Sequence, residues 1–312
     1  MNKLIVLGSL NVDCTLHIQR LPLVGETIEM TDRSSAPGGK GANQAVAASR
    51  SGAQTFFIGK VGDDESANLL RNSLKRDNVN IDNVMTDNKN GSGKAYILLQ
   101  ANGQNSILVY AGANMTLSPS DFDSAKDIFK DADFLDAQFE TPTDTTTYAF
   151  KFAKSKNIRT ILNPAPAISH VPNELAKFTD LICPNETEAA ILTGITITDY
   201  DSMQECAHKF FDMGIKHVII TVGERGAFYA DYSESYFVNA YKVNAIDTTG
   251  AGDSFIGALC SQLKKDFSNM HSAIQFANLA ASITVQSFGA QPAIPNLHQI
   301  KLEESKKHTF NE

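Results

Sequence analysis

Asp247-Thr248-Thr249-Gly250-Ala251-Gly252-Asp253-Ser254-Phe255-Ile256-Gly257 places two glycines around an alanine, an aspartate directly after them, and then a helical run. The run extends from Ser254 to Lys265, and its apolar residues Phe255, Ile256, Leu259 and Leu263 fall at helical spacing. Glycine allows successive backbone N–H groups to converge on one point. A helix that starts there adds unpaired N–H groups and the positive end of its dipole, which together favour an anion. A carboxylate beside that hole is placed to take the proton from a hydroxyl attacking a phosphoryl group. The plainer reading is a tight turn into a helix capped by Asp253.

A second segment early in the chain favours the chemical reading. Gly38-Gly39-Lys40-Gly41-Ala42-Asn43-Gln44-Ala45 pairs glycines before a predicted helix, and Asn43 offers both a donor and acceptors. Asn11 and Asp13, just beyond the first strand, add polar groups suited to sugar hydroxyls. Taken alone, this segment could be no more than a turn into a packed helix.

The 312 residues are enough for one large α/β domain with an appended subdomain. A formal net charge of −8 and the lack of a basic stripe argue against a nucleic-acid partner. An acidic chain still accommodates ATP where glycine amides and a metal supply the local positive field. Cys14, Cys183, Cys206 and Cys260 form no CxxC pair and read as reduced thiols of a cytosolic chain. The apolar run at Leu4 to Leu7 is too short for a signal peptide, and no run reaches the length of a membrane span. A soluble, cytoplasmic protein without a membrane partner is expected.

Along the chain, Leu4 to Leu7 reads as a buried strand, and Asn11 to Gln19 and Glu26 to Ser34 as extended segments separated by Pro22 and Gly25. Gly41 to Ser51 reads as a small-residue helix, Thr55 to Val61 as a strand, and Asp63 as the cap of a helix reaching Arg76. Ala95 to Gln100 and Ser106 to Val109 form a predicted hairpin across Asn102-Gly103. Helices are expected from Ser118-Pro119, over Pro142 to Ser155, from Asn185, and over Ser202 to Asp212. Strands at Asp133 to Ala137, Arg159 to Leu162, Leu181 to Cys183 and His217 to Val222 alternate with them. Such alternation predicts a mostly parallel sheet covered by helices on both faces. The early extended segments and the hairpin break it, so a small β-subdomain projecting over one sheet edge is expected.

Two apparent phosphate loops fail on inspection. Gly93-Lys94 resembles the end of a Walker A loop, but the first glycine is replaced by Asn88 and the hydroxyl residue by Ala95. Gly8-Ser9-Leu10-Asn11 follows a strand without the spacing of a dinucleotide fingerprint.

The GGKGANQA segment, the strings NPAP (163–166) and PNETE (184–188), and DTTGAGDSFIG together resemble the ribokinase-like (PfkB) family of carbohydrate kinases. The resemblance runs from about residue 3 to residue 300. It implies a three-layer α/β/α sandwich with a mostly parallel central sheet and a small β-sheet lid. It also implies a single carbohydrate kinase domain over 1–312, with the lid formed by about 12–36 and 94–110. The early segment and Gly289-Ala290-Gln291-Pro292 narrow the implied acceptor to D-ribose, phosphorylated at O5 by ATP.

The resemblance also implies roles for particular residues. Asp253 would be the base, and Gly250, Ala251 and Gly252 the anion hole for the transferred phosphoryl. Asn11, Val12, Asp13, Gly39, Lys40, Gly41, Ala42, Asn43 and Glu140 would hold the sugar, joined by Asp253. Thr221, Val222, Gly223, Glu224, Arg225 and Gly226 would line the nucleotide site together with Asn185, Gly252 and Asn278. Asn185 and Glu188 would organise Mg²⁺ and the phosphates, although the pair also fits a helix-capping arrangement. A potassium ion is implied beside Asp247, Thr249, Thr284, Ser287, Gly289 and Ala293, held mostly by carbonyl oxygens. Ala293 departs from the serine that family members often carry there, which implies a weaker site if the hydroxyl is a ligand.

With an ordinary pKa of about 3.9, Asp253 is expected to be ionised at neutral pH without tuning. Asp13 lies on a predicted lid strand, so sugar binding is expected to draw the lid down and exclude water. Exposed strand edges on the lid suggest a homodimer. Other readings are a family member acting on deoxyribose, fructose or a nucleoside, and a non-catalytic sugar-binding regulator. The intact Gly250, Gly252 and Asp253 weigh against the regulator.

Overall fold

The computed structural model describes residues 1–309. The chain opens with β1 (Lys3–Leu7), β2 (Asn11–Ile18), β3 (Met30–Gly38), α1 (Lys40–Arg50), β4 (Gln54–Gly62) and α2 (Glu65–Arg76). Next come β5 (Asn80–Asp87), β6 (Gly93–Gln100), β7 (Asn105–Tyr110), α3 (Pro119–Asp123), β8 (Phe134–Ala137) and α4 (Thr143–Ser155). They are followed by β9 (Arg159–Leu162), α5 (Asn173–Lys177), β10 (Leu181–Ile182), α6 (Glu186–Thr193), α7 (Tyr200–Asp212) and β11 (His217–Thr221). The last elements are β12 (Gly226–Ala230), β13 (Ser235–Asn239), α8 (Ala251–Gln262), α9 (Met270–Thr284) and α10 (Leu297–Thr309).

The central sheet has nine strands in the order β13-β12-β11-β10-β9-β8-β1-β4-β5. All neighbours from β5 through β11 are parallel, and β12 and β13 close one edge antiparallel. In β1 the period of two is visible in the packing. Leu4 and Val6 belong to one core cluster with α1, α2, α8 and α9, whereas Ile5 and Leu7 join the opposite cluster with α3 to α7. Helices therefore cover both faces, and the strand is apolar from Leu4 to Leu7 because both faces are buried there. Each fully buried aliphatic side chain of this kind contributes about 1.5–3 kcal/mol.

A separate four-stranded sheet runs β3-β2-β6-β7. The β6–β7 hairpin turns at Asn102-Gly103, where the Gly103 N–H bonds the Gln100 carbonyl, as the turn residues predict. Gly93-Lys94 begins β6, so the Walker-like pair is strand and not phosphate loop.

Several boundaries differ from the sequence reading. The segment from Glu26 is not strand: Arg20 and the Leu23 N–H hold the Glu26 carboxylate (2.7 and 2.8 Å) and close a loop, so β3 begins at Met30. The cap of α2 is Asp64, whose side chain accepts from the Ala67 N–H at 3.0 Å, and not its neighbour Asp63. Helix α8 starts three residues before the expected Ser254, so Asp253 lies in its first turn and Gly250 takes the cap position. Strands β5, β12 and β13 and helices α5, α9 and α10 have no counterpart in the sequence reading.

Candidate active site

The polar residues singled out from the sequence gather at the carboxyl ends of the parallel strands, where open α/β sheets bind ligands. Ser9 and Asn11 follow β1, Gln138 and Glu140 follow β8, Asn163 follows β9, Cys183 and Asn185 follow β10, and Thr221 ends β11. A cleft of about 200 Å³ opens there, lined among others by Lys40, Asn163, Asn185, Glu188, Thr221, Gly250, Gly252 and Asp253.

Asp253 is held by α1, more than two hundred positions earlier in the chain. Asn43 Nδ2 donates to its Oδ2 at 2.9 Å, and Gln44 Nε2 to its Oδ1 at 3.0 Å. The two helices approach closely because Gly257 carries no side chain: a Cβ there would lie 2.5 Å from Ala47 Cβ and from the Gln44 carbonyl oxygen. Asp253 is not tuning-free. Burial pushes its pKa up, Lys40, Asn43 and Gln44 pull it back, Glu140 adds to the rise, and the net direction is upward. The expectation of an unperturbed carboxyl overlooked how little water reaches this side chain, which is 8% exposed.

The helix start beside it is uncapped. Gly250 sits at φ +75°, a left-handed conformation open to glycine at little cost, and no side chain caps α8. The Ala251 N–H reaches the Thr248 carbonyl at 3.2 Å. Among the described residues the N–H groups of Gly252 and Asp253 have no such acceptor, so an anion hole here draws on these two more than on Ala251.

On the other side of the cleft, Glu140 Oε2 accepts from Ser9 Oγ and, at 3.1 Å, from the Lys40 backbone N–H. Asn11 Oδ1 accepts from Asn114 Nδ2 at 2.8 Å. Val12 and Asp13 follow Asn11 on β2, paired with Pro37 and Ala36 of β3. Gly39 is the cap residue of α1, whose first turn holds Lys40, Gly41, Ala42 and Asn43. Burial, then Glu140 and Asp253, push the Asp13 carboxyl up to about 7. Burial works against the Lys40 ammonium, but Asp253, Glu140 and Glu188 outweigh it and its pKa is raised.

The nucleotide-side residues cluster less tightly. Asn185 pairs with Thr221 in an isolated bridge, and the Thr221 N–H bonds the Pro184 carbonyl at 3.0 Å. After Val222, Gly223, Glu224 and Arg225 form one 3-10 turn before Gly226, with the Arg225 guanidinium on Glu186 at 2.6 Å. Asn278 is buried in α9, and its Nδ2 donates to the carbonyls of Val238 and Asn239 (3.1 and 3.2 Å), so its amide braces the end of β13.

Asn185 and Glu188 form a reciprocal capping box: Asn185 Oδ1 accepts from the Glu188 N–H (2.8 Å) and Glu188 Oε2 from the Asn185 N–H (2.9 Å). The capping arrangement is thus present, and it also fixes Glu188 at the cleft wall. Burial raises the Glu188 pKa against the pull of Asn185 and Lys40. A half-buried carboxylate and an amide oxygen, both hard donors, fit a hydrated Mg²⁺.

The loop at Asp247 is tied to the segment after α9. Thr249 donates through its N–H and hydroxyl to Asp247 Oδ1 (2.9 and 2.6 Å), the Gly289 N–H donates to Oδ2 (2.8 Å), and the Ile246 N–H to the Val285 carbonyl (2.7 Å). Thr284 Oγ1 lies 2.8 Å from Ser254 Oγ and 3.0 Å from the Ala280 carbonyl oxygen, within hydrogen-bonding reach of both. The Thr284 carbonyl accepts from the Ser287 N–H at 3.3 Å, and the Ala293 N–H reaches the Ala290 carbonyl at 3.1 Å. One carboxylate among main-chain oxygens is a hard donor set that fits an alkali cation, with Ala293 able to offer only its carbonyl.

Sequence reasoning gave no role to Gln44, Asn163 or Asn114. Gln44 and Asn163 were visible only as letters within GGKGANQA and NPAP. Asn114 carried no motif, and only the fold brings it to Asn11.

A parallel sheet with helices on both faces, and an uncapped helix start beside a buried carboxylate among sugar-compatible polar groups, define a carbohydrate kinase class of site. Residues 1–297 match the family described as pfkB family carbohydrate kinase, and the chain belongs to that family. It is 46% identical over 300 residues to a ribokinase of Staphylococcus aureus, covering 96% of this chain and 98% of that one. It is 49% identical over 301 residues to a bifunctional ribokinase/ribose-5-phosphate isomerase A of Fructilactobacillus sanfranciscensis. That match covers 96% of this chain and 56% of the relative, so the chain spans little more than half of the bifunctional protein. A solved structure described as Arabidopsis thaliana ribokinase complexed with ribose and ATP superposes with a TM-score of 0.90 at 31% identity, covering 96% of this chain and 98% of the other. Among the described residues no helix is long and apolar enough to cross a membrane.

Proposed function

We propose that this chain transfers the γ-phosphoryl of ATP to O5 of D-ribose, giving D-ribose 5-phosphate and ADP. The observation that carries the reading is the Asp253 carboxylate, held from α1 by Asn43 and Gln44 beside the free N–H groups that open α8. In the reaction the O5–H proton passes to Asp253, the O5–Pγ bond forms, and the bond from Pγ to the bridging oxygen breaks as ADP leaves. The N–H groups of Gly252 and Asp253 receive charge from the phosphoryl oxygens, and Lys40 adds its positive charge nearby.

Asn11, Asp13, Gly39, Asn43 and Glu140 orient the sugar in this reading, with the backbone of Val12, Gly41 and Ala42 shaping the wall. Thr221 to Gly226 border the nucleotide, and Asn278 supports that wall through β13. Asn185 and Glu188 would hold Mg²⁺, which would supply positive charge against the phosphates, and the residues around Asp247 would hold K⁺, which would strengthen the field of the anion hole. The four-stranded sheet, about 12–36 and 94–110, serves as a lid on a single domain over 1–312 and as the contact surface of a homodimer. A cytoplasmic location suits four free cysteines and a demand for ATP.

The test is a coupled ADP-release assay against D-ribose, 2-deoxyribose, fructose and nucleosides, with and without potassium. D-ribose is expected to give the highest kcat/KM and potassium to increase it. A higher kcat/KM for any other acceptor overturns the assignment of ribose.

A further inference from the structure

Behind the catalytic aspartate lies a chain of buried amides and one buried carboxyl that the transfer reaction does not itself require. Gln44 Nε2 donates to Asp253 Oδ1 and also to Asn163 Oδ1, each at 3.0 Å. Gln44 Oε1 accepts from Gln138 Nε2 at 2.6 Å, and the same nitrogen donates to Asp136 Oδ2 at 3.0 Å. Asn163 Nδ2 donates to the Cys183 carbonyl at 2.9 Å. Asp136, Gln138 and Gln44 are at most 1% exposed, and Asp136 Oδ1 and Gln138 Oε1 have no partner among the described residues. Unpaired buried acceptors bear their full desolvation cost, so stability alone is a poor account of this cluster.

The direction of every amide in the chain follows from groups that can only accept. The Cys183 carbonyl requires Asn163 to present its nitrogen there and therefore its oxygen to Gln44. With its nitrogen between Asn163 and the Asp253 carboxylate, Gln44 must turn its oxygen to Gln138, which answers with nitrogen. We infer that Gln44 is a positioning residue for Asp253, and that Asn163 on one side and the Gln138–Asp136 pair on the other fix its amide so that it can only donate. This rests on the assignment of Asp253 as the base.

A donor locked toward Oδ1 favours the ionised carboxylate and fixes its plane, leaving the remaining lone pairs to the sugar hydroxyl. The charged and titratable groups facing Asp253 come from every neighbouring element: Asp13 on β2, Lys40 on α1, Asp136 on β8, Glu140 after β8 and Glu188 on α6. Of these only Lys40 favours the ionised form. The amide donors therefore carry a substantial part of the opposition to burial.

The test uses Gln44→Met, which keeps volume and removes the donor, and Gln138→Met, which touches neither Asp253 nor the cleft. Turnover at saturating substrates is expected to fall about tenfold to a hundredfold in Gln44→Met, and the acidic limb of its pH profile to rise by about one unit. KM for ATP should stay unchanged. Gln138→Met should displace the limb in the same direction by less, and the double variant should be no worse than Gln44→Met alone. A limb that coincides with that of the unaltered protein, or additive losses, overturns the inference. If Gln44→Met fails to fold, Gln44→Glu sets a second carboxyl against Asp253, and a limb that does not rise in that variant has the same consequence. Carboxyl ¹³C titration of Asp253 reads the shift without turnover. An unaltered protein that phosphorylates no sugar therefore counts against the proposed function, while an Asp253 titration unmoved by Gln44→Met counts against this inference alone.

Discussion

Asn43 and Asp253 stand 210 residues apart in sequence and meet in one hydrogen bond of 2.9 Å. The two signature segments thus converge on a single carboxylate, with α1 supplying the donor and the first turn of α8 the proposed base. Asn43 Oδ1 is buried without a partner among the described residues, and in the proposed reading it accepts from a sugar hydroxyl.

Asn43→Ala removes a donor to a charged group and an acceptor for the sugar at once. Turnover is expected to fall about tenfold to a hundredfold, in line with about 1.5–3 kcal/mol for a charge-assisted bond, and KM for the sugar to rise. Steady-state kinetics with KM for ATP as the internal control checks this.

Asp13 gives a pH dependence with a definite sign. Its carboxyl lies at about 7 in the folded protein against an ordinary 3.8, raised by burial and then by Glu140 and Asp253. The folded state binds more protons between these values, so the stability contribution is full below 3.8 and is lost as pH rises through about 7. A sugar hydroxyl that donates to ionised Asp13 reverses the demand: KM for the sugar should climb as pH falls below 7. Asp13→Asn should flatten both trends, measured by thermal melting of the ligand-free protein and by KM across pH 5 to 8.

Gly257→Ala probes the approach of α1 to α8. The added methyl would meet Ala47 Cβ and the Gln44 carbonyl oxygen at 2.5 Å and Ala48 N at 2.6 Å, so the helices must separate. A loss of about 1–3 kcal/mol in urea unfolding is expected from such overpacking. Turnover should fall as well, because Asn43 and Gln44 move away from Asp253. Unchanged turnover in a destabilised variant would uncouple the helix contact from the site.

Much of the central sheet was legible because both of its faces are buried. Strands such as Leu4 to Leu7 are unbroken apolar runs, and loop residues at their ends mark the alternation with helices. Strand β5 escaped because its residues Asn80, Asp82 and Asp87 read as loop, and its place comes from pairing with β4. The cap of α2 was misplaced by one residue because Asp63 and Asp64 are chemically equal in sequence. At the site, glycines and charged residues announced themselves, whereas Gln44 and Asn163 acquired their positions only from long-range contacts. The upward shift of Asp253 was unreadable for the same reason, since burial belongs to the fold and not to a motif.

The small sheet offers an edge for self-association. Strand β7 is an edge strand, and Ile107, Leu108 and Val109 are 55%, 61% and 61% exposed. An apolar exposed edge of this kind invites pairing with a second copy. The unaltered protein is expected to sediment as a dimer at micromolar concentration and Leu108→Lys to shift it toward monomer. A monomeric unaltered protein contradicts the proposed dimer.

The most direct test replaces Asp253 with its amide. Asp253→Asn retains size but gives up one of the two oxygens that accept from Asn43 and Gln44 and cannot accept the sugar proton, and a positioned base contributes about a hundredfold to ten-thousandfold. With D-ribose and ATP, turnover should fall at least about a hundredfold while ATP binding by calorimetry stays within about twofold of the unaltered protein. Turnover close to that of the unaltered protein would contradict the assignment of Asp253 as the base.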